Sequence, residues 1–440
     1  MFLSYFCDMD RKIFRLAVPN IISNITVPLL GMIDLAIAGH LDSTLYIGAI
    51  SLGVTIFNMV YWNFGFIRMS TSGFTSQALG ARNLPETMHI LLRSVGVGVA
   101  LSLIILLLQY PIGIFAQSLI KSAVETKQYV MLYFRICVWG APAVLVMYAF
   151  NGWFIGMQNA KTPMYIAIFN NVLNIILSFT FVYLFHMKIE GIALGTVLSQ
   201  IITLMVTIVV WRKHYGKLKK YISRSIIFDK NAIRNFFKVN VDVFIRTFLL
   251  TLVTTFFTFA STAMGDLILA VNSLLMQFFM LFSYFMDGFA YAGEALTGKY
   301  IGARDGVSLK RMLRRLFFWG LMVSLISAVI YLFFPEQLLY ILTDKPNVIA
   351  KAKEYLFWTI LIPITGFAAF LWDGIFIGAT ASKQMRNAMI LSAIAFFTCY
   401  YLSVSSMGNN GLWLSFILYL LVRGVAQGLW AKRALRMHVG

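Results

Sequence analysis

Charge is scarce in this 440-residue chain, at 12% Asp, Glu, Lys and Arg, and acidic residues are the scarcer kind, 17 against 36 basic. A soluble domain carries roughly twice that charged fraction, so a water-soluble globular protein is excluded. Cysteine is rarer still. Cys7, Cys137 and Cys399 stand singly and far apart, which argues against a disulfide framework or a thiolate metal site. No HExxH, no paired Asp-rich motif and no G-x-S-x-G occurs. Nothing therefore supplies a metal or an activated nucleophile, and neither an enzyme nor a bound cofactor is expected. The N-terminal segment contains Asp8 and Asp10, and the first apolar span is too long for a cleavable signal, so that span is read as retained.

What the chain has is apolar length. Hydrophobic residues make up 60% of it, and mean hydropathy is +0.80. Runs of about 20 apolar residues, enough to cross the hydrocarbon core, recur twelve times: 14–38, 46–67, 90–110, 129–150, 164–185, 191–211, 239–263, 267–293, 316–334, 355–374, 387–404 and 411–431. Breaks such as Gly80-Ala81-Arg82-Asn83 and Asp344-Lys345-Pro346-Asn347 separate them. This is the pattern of an all-α polytopic membrane protein.

The net charge of +19 does not imply nucleic acid, because the basic residues are sorted by side. With the N-terminus and every even-numbered connection on one side, the opposite side holds only Lys121, Lys127, Lys188, Lys345, Lys351 and Lys353. Arg135, Arg246 and Arg423 fall within spans, and the remaining Lys and Arg lie on the first side. The positive-inside rule places that side, with both termini, in the cytoplasm of an inner-membrane protein. The densest basic stretch, Arg212–Lys238, determines topology and would face anionic headgroups.

The chain also repeats itself. Gly80-Ala81-Arg82-Asn83 matches Gly302-Ala303-Arg304-Asp305, and Asn151-Gly152-Trp153-Phe154-Ile155-Gly156 matches Asp373-Gly374-Ile375-Phe376-Ile377-Gly378. Lys161 falls on Lys383 at the same spacing. Six spans per half is an even number, so both halves enter the membrane in one orientation, as parallel repeats. The expected organisation is an N-lobe, 1–211, a basic cytoplasmic linker, 212–238, and a C-lobe, 239–440, around a central cavity. Such an architecture suits a carrier that exposes its cavity to each side in turn.

Within the first span, Asp34 lies in the apolar run Asn24-Ile-Thr-Val-Pro-Leu-Leu-Gly-Met-Ile-Asp34-Leu-Ala-Ile-Ala-Gly-His40, six residues after Pro28. A carboxylate in hydrocarbon is costly to keep charged and ready to take up a proton or cation. Proline removes a backbone donor and lets the helix bend nearby. Other charges in the spans have candidate partners. Asp242 and Arg246 are spaced i,i+4 and able to neutralise one another. Asp287 is placed to meet Arg246 or Arg423, Glu294 is read as solvated, and Asp373 as a helix-end residue. Arg135 snorkels to the interface. Aromatic residues (39 Phe, 20 Tyr, 9 Trp) and 22 Met are abundant. They would suit a promiscuous cavity, though most face lipid or pack between helices.

Several of these stretches resemble the DNA-damage-inducible protein F (DinF) branch of the multidrug and toxic compound extrusion (MATE) transporters. They are Asn24–Pro28–Gly31–Asp34 with Gly39-His40-Leu41-Asp42, Asn240-Val-Asp242-Val-Phe-Ile-Arg246, Ala270-Val-Asn272 and Asp287-Gly-Phe-Ala-Tyr-Ala-Gly-Glu294. To these are added Gly302-Ala-Arg-Asp305-Gly306 and Asp373-Gly-Ile-Phe-Ile-Gly378-Ala-Thr with Met385-Arg386-Asn387. The resemblance runs from about Leu16 to Trp430. It implies twelve helices in two lobes, export of organic, often cationic or amphipathic, compounds on a proton or sodium gradient, and Asp34 as the coupling site. One departure concerns the ion. Where many members carry Asn-x-x-x-Asp on the fifth helix, this chain has Asn174-Ile-Ile-Leu-Ser178. Without a second acid a sodium site here holds one formal charge, which favours a proton. Asn171, Asn174 and Ser178 are then expected to support protonated Asp34 or to supply oxygens to a cation. A sodium-coupled exporter, and a flippase of a lipid-linked substrate with the same two-lobe plan, are the competing readings. A flippase would be expected to line its cavity with several cations, for which only Arg135, Arg246 and Arg423 are candidates. The major facilitator class also has two parallel halves, but Gly80-Ala-Arg-Asn83 lacks its longer loop signature.

Overall fold

Residues 8–39, 44–119, 124–223, 227 and 229–436 are described by the structure, a computed structural model. His40, Leu41 and Asp42 of the first-helix stretch, and Cys7, Lys121 and Arg224, lie outside them. Among the described residues twelve helices are long and apolar enough to cross a membrane. They are α1 (Asp8–Gly39), α2 (Leu45–Gly80), α3 (Leu84–Leu107), α4 (Glu125–Gly156), α5 (Lys161–Leu184) and α6 (Ile189–Tyr221), then α7 (Lys230–Ala263), α8 (Asp266–Gly302), α9 (Gly306–Phe333), α10 (Leu356–Gly378), α11 (Ser382–Met407) and α12 (Asn409–Leu435). Short helices Gln109–Leu119, Pro335–Leu342 and Pro346–Lys353 fill connections, and no described residue is in a strand. Helices satisfy every interior backbone group within one segment, which the hydrocarbon core demands. The observed helices run past the apolar limits of the sequence, α8 for instance to Gly302, because their ends carry polar residues beyond the span.

The repeat is a repeat of geometry. Arg82 and Arg304 both adopt the left-handed backbone region, at φ 56° and 55°, and so do Gln158 and Thr380, at 63° and 52°. The first pair ends α2 and α8, and the residue after each is the cap of the next helix. Asn83 Oδ1 accepts from the Glu86 N–H at 3.1 Å, and Asp305 Oδ1 from the Ser308 N–H at 2.9 Å. These caps satisfy one of the donors orphaned at a helix start. Close packing repeats as well. A methyl added at Gly152 would collide with the carbonyl of Arg68, and one at Gly374 with the carbonyl of Ala290. Gly156 and Gly378 meet the carbonyls of Ser72 and Glu294 in the same way. Small residues let two membrane helices approach backbone to backbone. Each of these pairs is separated from its counterpart by the 222 residues that separate Gly80 from Gly302.

By internal contact the chain forms two compact units. One comprises Ile22–Ala78 and Asn83–Phe236. Its core gathers Phe150, Trp153, Phe154 and Trp211, and Trp153 Nε1 donates to the Thr87 carbonyl at 2.7 Å. The basic connection after α6 is docked on α3. His89 Nε2 lies 2.9 Å from the Tyr221 carbonyl, and Arg93 Nε donates to the Ile227 carbonyl at 3.1 Å. The other unit comprises Met1–Ile21, Leu79–Arg82 and Phe237–Gly440. In it α10 packs against α8, α9 and α12. Asn272 and Asn409 exchange amide hydrogen bonds at 2.7 and 3.0 Å, joined by Trp413 Nε1 at 2.9 Å from Asn272 Oδ1. Helix α1 thus belongs to one unit up to Ile21 and to the other beyond it.

Candidate functional site

The first-helix acid is buried. Asp34 is 5% exposed, and its Oδ1 has no hydrogen-bond partner among the described residues. It lies within electrostatic reach of Tyr133 and Cys137 of α4, both buried. Cys137 Sγ points to the Ala193 carbonyl of α6 at 3.9 Å. Helix α1 stays helical through Pro28, which is exposed. Proline offers no N–H, so residue 28 contributes no backbone donor to the preceding turn.

Asn171, Asn174 and Ser178 of α5 make their hydrogen bonds elsewhere than to Asp34. Asn171 Nδ2 donates to the Thr26 carbonyl at 3.2 Å, tying α5 to α1 two residues before Pro28. Asn174 Nδ2 donates to Thr196 Oγ1 at 3.0 Å, and Ser178 Oγ donates to Asn174 Oδ1 at 3.4 Å. Asn174 and Ser178 are both buried. The expected amide-to-Asp34 contact is therefore replaced by a bond to backbone and by an α5–α6 polar chain. Gly195 of α6 permits that approach, since a methyl there would meet Ser178 Oγ at 2.5 Å.

The charges of the second unit are paired differently from the sequence expectation. Asp242 bonds not to Arg246 but across to α11, accepting from Arg386 Nη1 at 2.6 Å and Ser382 Oγ at 2.8 Å. Arg246 and Arg423 both close on Asp373 Oδ2, and Gln427 Nε2 donates to Asp373 Oδ1 at 2.5 Å. The Arg423 guanidinium also lies over the Phe370 ring, 5.6 Å from its centroid. Asp373 is thus a buried organiser of α7, α10 and α12 rather than a helix-end residue. Both its oxygens accept from these side chains. Glu294, expected in solvent, is fully buried, and Asp287 lies partly buried within reach of Tyr284. Arg135 is exposed. Asp10 is a further buried acid, fully enclosed, that sequence reasoning left at the terminus. Among the described residues no three His, Cys, Asp or Glu side chains gather as a metal site.

A sequence model of the family MatE matches residues 19–180 and again 243–402, one match per half. The DNA damage-inducible protein F of Escherichia coli (strain K12) is 34% identical over 435 residues, 98% of this chain and 94% of that one. A solved multidrug resistance MATE family transporter in the outward-facing conformation superposes with a TM-score of 0.88 at 18% identity, covering 99% of this chain and 97% of that chain. A MATE in the bent conformation gives 0.86 at 19% identity over 98% and 96%. Such low identities speak for the fold, and the relative from Escherichia coli and the paired family match speak for descent. The twelve-helix protein, with its repeated glycine contacts and its buried acid on the first helix, belongs to the MatE family of membrane transporters and is not an enzyme.

Proposed function

We propose that this protein is a proton-coupled antiporter that exports organic, cationic or amphipathic toxic compounds across the inner membrane, with both termini in the cytoplasm. The lobes 1–211 and 239–440, joined by the basic linker 212–238, rock about a central cavity. Substrate enters from the cytoplasm, and a proton from outside then loads Asp34. The first helix bends at Pro28, and the cavity shrinks and expels the substrate. Protonation supplies the free-energy difference between the two states that coupling requires.

The observation that carries this reading is the buried Asp34 Oδ1 without a hydrogen-bond partner among the described residues, on a membrane helix containing Pro28. An ion is expensive in hydrocarbon, and a single proton removes the expense. Sodium would need several oxygens, and the second carboxylate is absent here, while Asn174 Oδ1 accepts from Ser178. Of the other buried acids, Asp10, Asp242 and Asp373 are each paired with an arginine, and Glu294 is fully enclosed as well. A relative described as a probable multidrug resistance protein supports the cargo class.

The test is ethidium-dependent proton release from inside-out vesicles of an efflux-deficient host, with wild type and Asp34→Asn at matched expression. Release by wild type alone supports the reading. Equal release by both moves coupling to another group. If neither responds to proton or sodium gradients across a panel of organic cations, the multidrug reading falls and lipid flipping is assayed.

A further inference from the structure

We infer that Asp10, with Arg315 and Trp319, forms a clasp that holds the first third of α1 fixed, so that events at Asp34 bend only the part beyond it. Asp10 is a positioning residue in this scheme, and the inference rests on the proton-coupled reading above.

The start of α1 is not a loose terminus. Asp10 is fully buried. Its Oδ1 accepts from Arg315 Nε at 2.8 Å and from Trp319 Nε1 at 2.9 Å, and Arg315 Nη2 closes on Oδ2. Arg315 and Trp319 are one turn apart on α9, so a single face of that helix presents both donors. Paired donors on a carboxylate are the geometry that gives a charge-assisted bond both strength and direction. The surroundings tighten the hold. Phe14 meets Trp319 edge-on at 4.8 Å and Phe289 at 5.7 Å, and Ile13, Leu16 and Ala17 are buried. Gly288 of α8 is needed here, because a methyl would come within 2.9 Å of the Ala17 carbonyl.

The rest of α1 is held otherwise. From Ile22 onward it belongs to the other compact unit, where Asn171 Nδ2 donates to the Thr26 carbonyl. A single helix with an anchored start and a proline-weakened middle transmits a local change at its far end only if the start resists. Without the clasp, neutralising Asp34 would let the whole helix shift, and the proton would move without moving substrate. A buried carboxylate that takes donors from a helix some 305 residues away in sequence is otherwise a costly way to begin a helix.

The experiment uses the full-length protein in proteoliposomes, with Asp10→Asn, Arg315→Gln, the double variant, and Trp319→Phe as a milder change that keeps the ring. Two readouts are taken: ethidium moved per proton, and the mobility of a spin label at Arg11→Cys in a background with Cys7, Cys137 and Cys399 replaced by Ala. Loosening of the label, with a fall of about ten-fold in ethidium moved per proton, the scale of one charge-assisted hydrogen bond, is the expected result. The double variant should be no worse than either single, while ethidium affinity is retained. An unchanged label in folded Trp319→Phe and Asp10→Asn would overturn the clasp even if the carrier proved uncoupled to protons. A loosened label with an unchanged ratio would overturn its role in coupling. Failure of the proton reading alone would show as wild type moving no protons while the label still loosens.

Discussion

Gly374 of α10 lies against the carbonyl of Ala290 of α8 so closely that a methyl group would occupy the same space. Gly152 stands in the same relation to Arg68 in the other half. Neither contact can relax by turning a side chain, because the obstructing atoms are backbone. Gly374→Ala and Gly152→Ala should each destabilise the protein by about 1–3 kcal/mol, the cost of forcing an extra methylene into a packed interior. Thermal unfolding of detergent-solubilised protein checks this. Glycines with open space around them, such as Gly96, provide the control, since Gly96→Ala should be neutral or slightly stabilising.

Asp373 binds α7, α10 and α12 through Arg246, Arg423 and Gln427. Removing its charge leaves two buried guanidiniums facing one another, whereas removing Arg423 as well returns the cluster to its original net charge. Asp373→Asn should therefore cost about 3–5 kcal/mol, the range for breaking a buried pair from one side. Adding Arg423→Met to it should recover part of the loss. Folded yield and melting temperature of the two variants decide it. A double variant worse than the single would show that Arg423 contributes by its contacts with Phe370 and not by charge balance.

The contrast between the two halves explains what could be read from the chain and what could not. Twelve apolar runs, the repeated Gly-Ala-Arg and the lone Asp34 were legible because each is a local signal: length, spacing, or one polar residue among apolar neighbours. Pairing was not. The i,i+4 spacing of Asp242 and Arg246 satisfies the short-range rule, yet packing of α11 beside α7 offers Asp242 both Arg386 and Ser382. Asp373 looked like a helix-end residue because it stands five residues before the end of α10. Its burial depends on two arginines from other helices. Asp10 looked terminal for the same reason, since nothing near it in sequence announces Arg315 and Trp319.

The two helix caps of the repeat should respond differently to acid. Asp305 lies between α8 and α9, and its hydrogen bonds from Ser308 hold its carboxyl below the ordinary carboxylate value. A group depressed on folding contributes stability above its unfolded value, and that contribution is lost as pH falls through the folded one. Asp305→Ala should cost about 1 kcal/mol at neutral pH, and the difference from wild type should shrink as pH drops below the carboxylate range. Asn83 caps α3 with an amide that does not titrate, so the penalty of Asn83→Ala should not change over the same range. Melting curves of the three proteins at neutral and acid pH make the comparison. A constant Asp305→Ala penalty would mean that the cap works without its charge.

Ser178 is the position at which ion choice should be changeable. Its hydroxyl occupies Asn174 Oδ1 at 3.4 Å, and Asn174 in turn holds Thr196. A carboxylate at 178 cannot donate that bond, so Ser178→Asp frees the Asn174 oxygen and adds a second formal charge to the half that contains Asp34. Both changes favour a metal cation over a proton, which needs one acceptor and no coordination shell. Radioactive sodium binding to purified Ser178→Asp should be about ten-fold tighter than to wild type, the scale on which one nearby opposite charge acts. Ser178→Asn, close in shape and neutral, should gain nothing. Gly195 leaves little spare room beside residue 178, so the neutral variant also reports any cost of bulk. If Ser178→Asp folds and binds sodium no better than Ser178→Asn, then the missing acid is not what keeps sodium out. The choice of ion would then have to be set elsewhere than at residue 178.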